Sequence, residues 1–301
     1  MALARAPEAD MAVNPLNTNV AEQRTQSAPR FAMSVDVEDY FQVWAFSGVI
    51  DRDRWDGFQM RVGSSTRRLL DLFDAANAKA TFFILGWVGE RAPELVREIT
   101  DRGHEAASHG YDHRKVFDLT PAEFRADVVK TKNILEDATG ASVRGFRAAG
   151  FSIDERTPWA YEILRETGHL YSSSSHPIAH DHYGDPEGPR DPRHIDEIIE
   201  APVATAEFMG RRVSCAGGGW FRASPYLISR SMINRAARTL SGPIIFYCHP
   251  WEIDANQPRI SSAPVKSKAR HYLNLSSTES KLKRLLADFS WGRVDHALGL
   301  D

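Results

Sequence analysis

Apolar residues recur along this chain in two rhythms, and their alternation is the main signal of fold. Phe31-Ala-Met-Ser-Val-Asp-Val37 is a short apolar run with the character of a strand. Leu69, Leu72, Phe73 and Ala76 then fall at i, i+3, i+4 and i+7, which predicts a helix with one buried stripe. Residues 79–85 predict a buried strand, followed by a helix that Pro93 opens and Gly103 closes. Residues 104–108 form a weaker strand. Thr120-Pro-Ala-Glu123 combines an N-cap hydroxyl, a proline at the first helical position and a glutamate that reaches back, predicting a helix to about Gly140. Residues 143–148 and 170–174 are further strand candidates, with a helix over 159–167 between them, and residues 243–248 are the clearest late strand. Ser276-Ser-Thr-Glu279 predicts a capping box ahead of Leu282, Leu285, Leu286 and Phe289, so the chain is expected to close on an amphipathic helix.

Strand-then-helix units repeated in this way predict the α/β class with a mainly parallel sheet. An open doubly wound sheet and a closed barrel both fit, and in either one function belongs at the carboxyl edge of the strands. Residues 1–29 mix Ala, Pro, Asn and Gln without periodicity and are expected to be a disordered arm. Residues 175–196, rich in Pro, Gly, His and Asp, are expected to form a long loop. The remaining 30–301 are expected to be a single catalytic domain. Composition narrows the class: 42% hydrophobic and 26% charged residues in 301 make a globular chain, and a net charge of -3 offers no basic excess for nucleic acid. No apolar run approaches the roughly 20 residues of a membrane span. No secretory h-region is visible, so a cytoplasmic location is expected, with peripheral association at the inner membrane face as an option. Cys215 and Cys248 alone make no disulfide framework.

Three polar clusters lie at predicted strand ends: Asp36-Val-Glu38-Asp39, Ser108-His109-Gly-Tyr111-Asp-His113, and His249-Pro-Trp251-Glu252. Carboxylates crowded after an apolar strand repel one another unless a cation or proton sits between them. The His-x-x-x-His spacing is weak by itself, since His176 and His180 share it within the loop. Position separates the pairs. Two neutral imidazoles and one carboxylate leave a divalent ion with open coordination for water. Trp44, Trp55, Trp220 and Trp251 are either core or sugar-stacking faces. Gly217-Gly-Gly219 has no Lys-Ser/Thr after it and is read as a tight turn, Cys248 as a buried apolar residue, and Arg211 and Arg212 as solvated.

Four strings in order carry a resemblance: Ser34-Val-Asp-Val-Glu-Asp-Tyr-Phe41, Ser108-His109-x-x-x-His113, Gly145-Phe-Arg147-Ala-Ala-Gly150-Phe-Ser152, and Tyr247-Cys-His249-Pro-Trp-Glu252. Together they resemble the polysaccharide deacetylases with a NodB-homology domain, carbohydrate esterase family four. More narrowly, they are similar to the subgroup found in exopolysaccharide loci associated with exosortase systems. The resemblance implies a distorted (β/α) barrel with fewer than eight complete units. It also implies metal-dependent removal of N-acetyl groups from amino sugars of a poly- or oligosaccharide, with zinc the expected ion and cobalt able to replace it. Residue by residue it implies Asp36 as base, His249 as acid, Arg147 as partner of the base, and His109 and His113 as ligands. The third ligand is Glu38 if the strand stays regular, or Asp39 if it bulges. Gly150, Trp251 and Tyr111 are implied in substrate binding.

Two positions depart from the pattern. Ala149 stands where the family has proline, and Ser172 stands where relatives carry aspartate. If that aspartate tunes the acid histidine, Asp181, Asp185 or Asp254 has to replace it. Two competing readings follow: a metal-independent, allantoinase-like amidohydrolase, marked by loss of the histidines, and a catalytically silent carbohydrate-binding protein.

Overall fold

Buried apolar runs make the strands here, and the polar residues that follow each run end them. The computed structural model describes residues 28–179 and 184–300; the arm expected at 1–29 lies outside them up to residue 27, as does Asp181. The strands are β1 (Phe31–Val37), β2 (Ala80–Ile84), β3 (Glu105–Ser108), β4 (Gly145–Phe146), β5 (Tyr171–Ser172), β6 (Arg193–Ile195), β7 (Ile198–Glu200), β8 (Thr205–Phe208), β9 (Arg211–Ser214), β10 (Ile244–Cys248) and β11 (Trp291–Gly292). Nine of them form one sheet in the order β10-β1-β2-β3-β4-β5-β7-β6, with β11 beside β1. Every pairing in it is parallel except β6 with β7. The sheet curls, and Ala204 N, donating to Ile245 O at 3.0 Å, ties the chain after β7 back to β10. This is a distorted, incomplete (β/α) barrel, as the resemblance implied.

The helices cover the outside for the reasons their sequences give. Leu69, Leu70 and Phe73 of the helix Val62–Ala75 are fully buried in one core with Phe82 and Ile84 of β2. The capping box at Thr120 is formed, with Thr120 N donating to Glu123 Oε2 at 2.8 Å, and Gly140 ends that helix at φ 68°. No helix among the described residues is long and apolar enough to cross a membrane.

Several expectations are corrected. An extra helix, Gly86–Arg91, follows β2 directly. Strands β4 and β5 are only two residues long, because side chains replace the ladder beyond them: Ala148 N donates to Ser174 Oγ at 2.9 Å. The loop expected over 175–196 contains β6. No capping box starts at Ser276, since the helix Leu275–Asp288 begins earlier, after a left-handed Asn274, and Thr278 Oγ1 donates to Asn274 O at 2.9 Å. That helix is also not the end of the chain's structure, because β11 and the helix Val294–Ala297 follow. At Gly217 a Cβ would stand 1.9 Å from the Tyr247 carbonyl oxygen, so only glycine permits the approach to β10 from which the helix Gly218–Ala223 departs.

At the amino end of the strands the C-terminal segment closes the sheet over a buried acid. Glu105 Oε2 accepts from Thr81 Oγ1 at 2.5 Å and from Tyr171 Oη at 2.9 Å. Asp295 nearby is ion-paired with Arg144 at 3.0 Å and also with Arg293. Burial, with Asp295 adding repulsion, raises the Glu105 pKa to about 8. A carboxyl raised in the folded state stabilises fully below its unfolded pKa and loses that contribution as pH rises through the folded value. Stability is therefore expected to fall between pH 5 and 8, by on the order of a few kcal/mol, and the wild-type thermal midpoint to fall with it. Glu105→Gln, which keeps the shape and cannot ionise, should show a flatter curve over that window. Parallel melting curves for the two proteins would remove Glu105 as the cause.

Candidate metal centre

Parallel register brings the polar strand ends together. Val35 pairs with Cys248, Val37 with Ile84, Ile84 with Ser108, and Ser108 with Phe146. Residues just past those positions, His249, His109 and Arg147, therefore rise at one edge beside Asp36 and Glu38. All five are buried or nearly so, with Arg147 at 0% exposure.

Glu38, His109 and His113 each offer a ligand atom, and these lie within 4.8 Å of one another. His109 Nδ1 sits 2.8 Å from the Arg147 carbonyl oxygen. A carbonyl only accepts, so Nδ1 carries the proton and the Nε2 lone pair is free for an ion. His113 hydrogen-bonds the Gln42 backbone, and its Nε2 lies 3.0 Å from Glu38 Oε2. Burial lowers the pKa of both imidazoles, that of His113 well below the ordinary value, so both are neutral at pH 7. Glu38 Oε2 is a buried carboxylate oxygen with no hydrogen-bond donor among the described residues. A lone pair from each ring and an orphaned anionic oxygen converging in a dry site fit a divalent cation, and the donor set is one that zinc takes.

Strand β1 stops at Val37, and Glu38 N donates to Asp36 O at 3.1 Å in a tight turn. Glu38 is thus past the regular strand, yet it and not Asp39 meets the imidazoles. Asp39 faces elsewhere: its carboxylate accepts from the backbone N–H groups of Arg61 at 2.6 Å and Val62 at 2.8 Å, at the start of the helix Val62–Ala75.

Beside the cluster, Asp36 Oδ1 is 2.6 Å from Arg147 Nη1. The guanidinium is held by Ser173 O, Ser34 Oγ and Ser173 Oγ at 3.0, 2.8 and 2.8 Å, with Phe83 under it at 4.1 Å. Burial alone would raise the Asp36 pKa; Arg147 and the neighbouring imidazoles reverse this and hold it below the ordinary value. Burial raises Glu38 to about 7 against the pull of His249 and the Trp251 hydrogen bond. His249 Nε2 lies 3.8 Å from Asp36 Oδ2 and 3.6 Å from Glu38 Oε1, and its Nδ1 lies 3.4 Å from Glu252 Oε1. Burial lowers its pKa, but these three carboxylates outweigh it and lift His249 to about 9.

Glu252 is the residue that sequence reasoning quoted but gave no role. It is 1% exposed and bridges His249 to Arg222, whose Nε is 3.1 Å away. It stands three residues after His249 on the short turn Pro250–Ile253, so the partner of the histidine comes from its own motif. Asp254, offered for that part, is bound to Arg61 at 2.5 and 2.8 Å, and Asp185 accepts from Glu187 N. Ser172 Oγ donates to Ser174 Oγ at 2.8 Å, within the serine ladder behind Arg147.

Trp251 is more than a lining face. Its indole N–H donates to Glu38 Oε1 at 3.1 Å, and its ring is stacked between His249 and His271 at 5.1 and 4.2 Å. Tyr111 donates its hydroxyl to Glu90 at 2.6 Å and lies under Lys130 Nζ, while Gly150 sits at φ 60° in the turn Ala149–Phe151. His113 and Phe151 also take left-handed backbone, at φ 58° and 51°, strain of the kind that collects at functional sites. Of the tryptophans, Trp55 is core at 3% exposure, whereas Trp44 and Trp220 stay open at 38% and 43%. Cys248 is buried, and burial pushes its thiol well above the ordinary range, as expected of a packing residue.

Known proteins are similar to this chain in sequence and in fold. A family model described as polysaccharide deacetylase matches residues 55–171, and one described as a domain of unknown function (DUF3473) matches residues 173–299. A peptidoglycan-N-acetylglucosamine deacetylase of Bacillus cereus is 33% identical over 98 residues, 32% of this chain and 36% of that protein. A peptidoglycan deacetylase of Helicobacter pylori is 31% identical over 107 residues, 36% of each. The matches thus span about a third of the length of these curated relatives. A solved structure assigned as a polysaccharide deacetylase from Mycobacterium smegmatis shares the fold, with a TM-score of 0.56 at 20% identity over 88% of this chain and 90% of that one. By the match at residues 55–171 this chain carries a polysaccharide deacetylase domain of the NodB-homology type, and over most of its length it shares the fold of that solved structure.

Proposed function

We propose that the protein is a metal-dependent hydrolase that removes N-acetyl groups from the amino sugars of a poly- or oligosaccharide. The observation that carries this is the convergence of Glu38, His109 and His113 within 4.8 Å beside an ionised Asp36 and a protonated His249. A divalent ion, read as zinc, would supply Lewis-acid polarisation of the acetamide carbonyl and a water acidified towards neutrality. Asp36 takes a proton at Oδ2 from the attacking water, since Oδ1 is committed to Arg147. Phe151 N–H is already given to Ala148 O at 3.0 Å, so we assign the Gly150 peptide as donor to the developing oxyanion. His249 delivers its Nε2 proton to the departing amine, giving acetate and a free amino sugar. In this reading Trp251 and Glu252 are positioning residues, the first for Glu38 and the second for His249.

We also read residues 30–301 as one catalytic domain. In support, β1 from before both matched stretches is flanked by β2 from the first and β10 from the second. The polymer is read as an exopolysaccharide on the sequence resemblance. Both histidines that a metal-independent amidohydrolase would have lost are present, and Glu252 supplies the partner whose loss would have argued for a silent binding protein.

Dialysis against chelator is expected to abolish acetate release from N-acetylglucosamine oligomers, and zinc or cobalt to restore it. Metal analysis should find about one ion in wild type and none in His109→Ala. Acetate release indifferent to complete metal stripping would overturn the reading.

A further inference from the structure

We propose that Gln257 and His271 are positioning residues for the third metal ligand: together they clamp the Trp251 indole, and the indole fixes Glu38. The inference rests on reading Glu38, His109 and His113 as a metal centre, and it gives residues 173–299, matched as a domain of unknown function, a task in it. A carboxylate on a free side chain turns about its own bonds, so a ligand oxygen has to be aimed before an ion can use it. His109 is aimed by the Arg147 carbonyl oxygen at 2.8 Å. For Glu38 the aim comes from the indole N–H of Trp251, which donates to Oε1 at 3.1 Å and leaves Oε2 turned to His113 Nε2 at 3.0 Å.

An indole can hold that oxygen only if its ring does not tilt. His271, on the helix Val265–Tyr272, stacks on it at 4.2 Å and 18°, and Phe46 packs against His271 at 4.6 Å. Gln257 closes the loop. Its amide nitrogen donates to the carbonyl oxygens of Trp251 and Asp254 at 2.8 and 2.9 Å, so its Oε1 is left to accept, 2.6 Å from His271 Nε2. His271 Nε2 therefore carries the proton. Burial, with Arg222 close by, lowers the His271 pKa to about 2, so the ring is neutral at pH 7. One amide thus holds both the backbone of Trp251 and the ring stacked on its side chain. Trp251, Gln257 and His271 are all buried. Apolar side chains would fill the same space without the cost of burying an amide and an imidazole; what the polar pair adds is a fixed direction.

The test is zinc affinity, read by competition with a chromophoric chelator on the full chain, well below the melting temperature of each variant. Trp251→Phe keeps a ring and loses the N–H; His271→Ala removes the stacked wall. Each is expected to raise the zinc dissociation constant about tenfold, the lower end of what the partners of metal ligands contribute. The two losses should not add: the double variant should stay within about threefold of either single one, because the wall acts only through the indole. His271→Phe, which restores a stacking ring, should recover most of the affinity, and Gln257→Leu should lose part of it. Leu164→Ala, in the separate core beneath the helix Trp159–Glu166, is the control for lost stability: its melting temperature falls while its zinc affinity holds. Zinc affinity in His271→Ala equal to wild type overturns the inference, and so does a loss that adds in full to that of Trp251→Phe or that Leu164→Ala reproduces. Weaker zinc binding in the variants without acetate release from any form would defeat the deacetylase reading and leave the clamp. Acetate release with zinc affinity unmoved by His271→Ala would do the reverse, and a wild-type protein that takes up no zinc would defeat both.

Discussion

Asp36→Asn is expected to lower the turnover number for acetate release by about 10³-fold while KM and metal content stay close to wild type. The expectation follows from how the carboxylate is divided. One oxygen is fixed by Arg147 at 2.6 Å, and the other faces His249 at 3.8 Å in the interior of the cluster. Each of the three Arg147 nitrogens is engaged, so the pair is held rigidly and Asp36 stays ionised despite complete burial. Asparagine preserves shape but has no oxygen basic enough to accept a proton. The substitution also leaves the Arg147 cation facing a neutral partner in a dry site, and breaking a buried pair costs about 3–5 kcal/mol. Turnover must therefore be measured well below the variant's melting temperature. A folded, metal-loaded Asp36→Asn protein within threefold of wild-type turnover would exclude Asp36 as the base.

What could be read from sequence was what local pattern determines. Runs such as Phe31–Val37 and Ile244–Cys248 are buried on both faces in a parallel sheet and so are continuous apolar segments that announce themselves. The polar residues after them were correctly expected at strand ends. Beyond that, position depends on geometry no window contains. Whether Glu38 or Asp39 turns inward is decided by two backbone amides at Arg61 and Val62, more than twenty residues later, which engage the second carboxylate. Strands β4 and β5 shrink to two residues because serine side chains take over their pairing, a choice propensity does not encode. The apparent capping box at Ser276 was overridden by tertiary packing that starts the helix at Leu275. The centre itself is assembled across the chain: His109, His113 and Arg147 lie in the first matched stretch, His249 and Glu252 in the second, and Asp36 and Glu38 before both.

Removing the charge of Glu252 should reveal how the histidine is kept acidic. Glu252→Gln is expected to lower turnover by about 10²-fold with little change in KM, and to move the alkaline limb of the pH–rate profile to lower pH. The sign follows from the three carboxylates around the ring. They raise His249 to about 9, so the imidazolium persists through neutrality and is lost only as pH climbs through that value. Glu252 is the largest of these favourable influences, acting on Nδ1 at 3.4 Å, and without it burial pulls the pKa down. An ion on Glu38 weakens a second carboxylate's hold, which lowers the limb in wild type and variant alike and leaves the direction of the shift unchanged. Glu252→Asp, which retains charge on a shorter arm, should recover part of both effects. Stability will also fall, because Arg222 loses its carboxylate at 3.1 Å, although its bond to the His271 carbonyl at 2.6 Å remains. A purely structural part for Glu252 predicts lower stability with an unmoved alkaline limb and no rescue by aspartate; that pattern would leave His249 without its tuning partner and return the question to the residues beyond its motif.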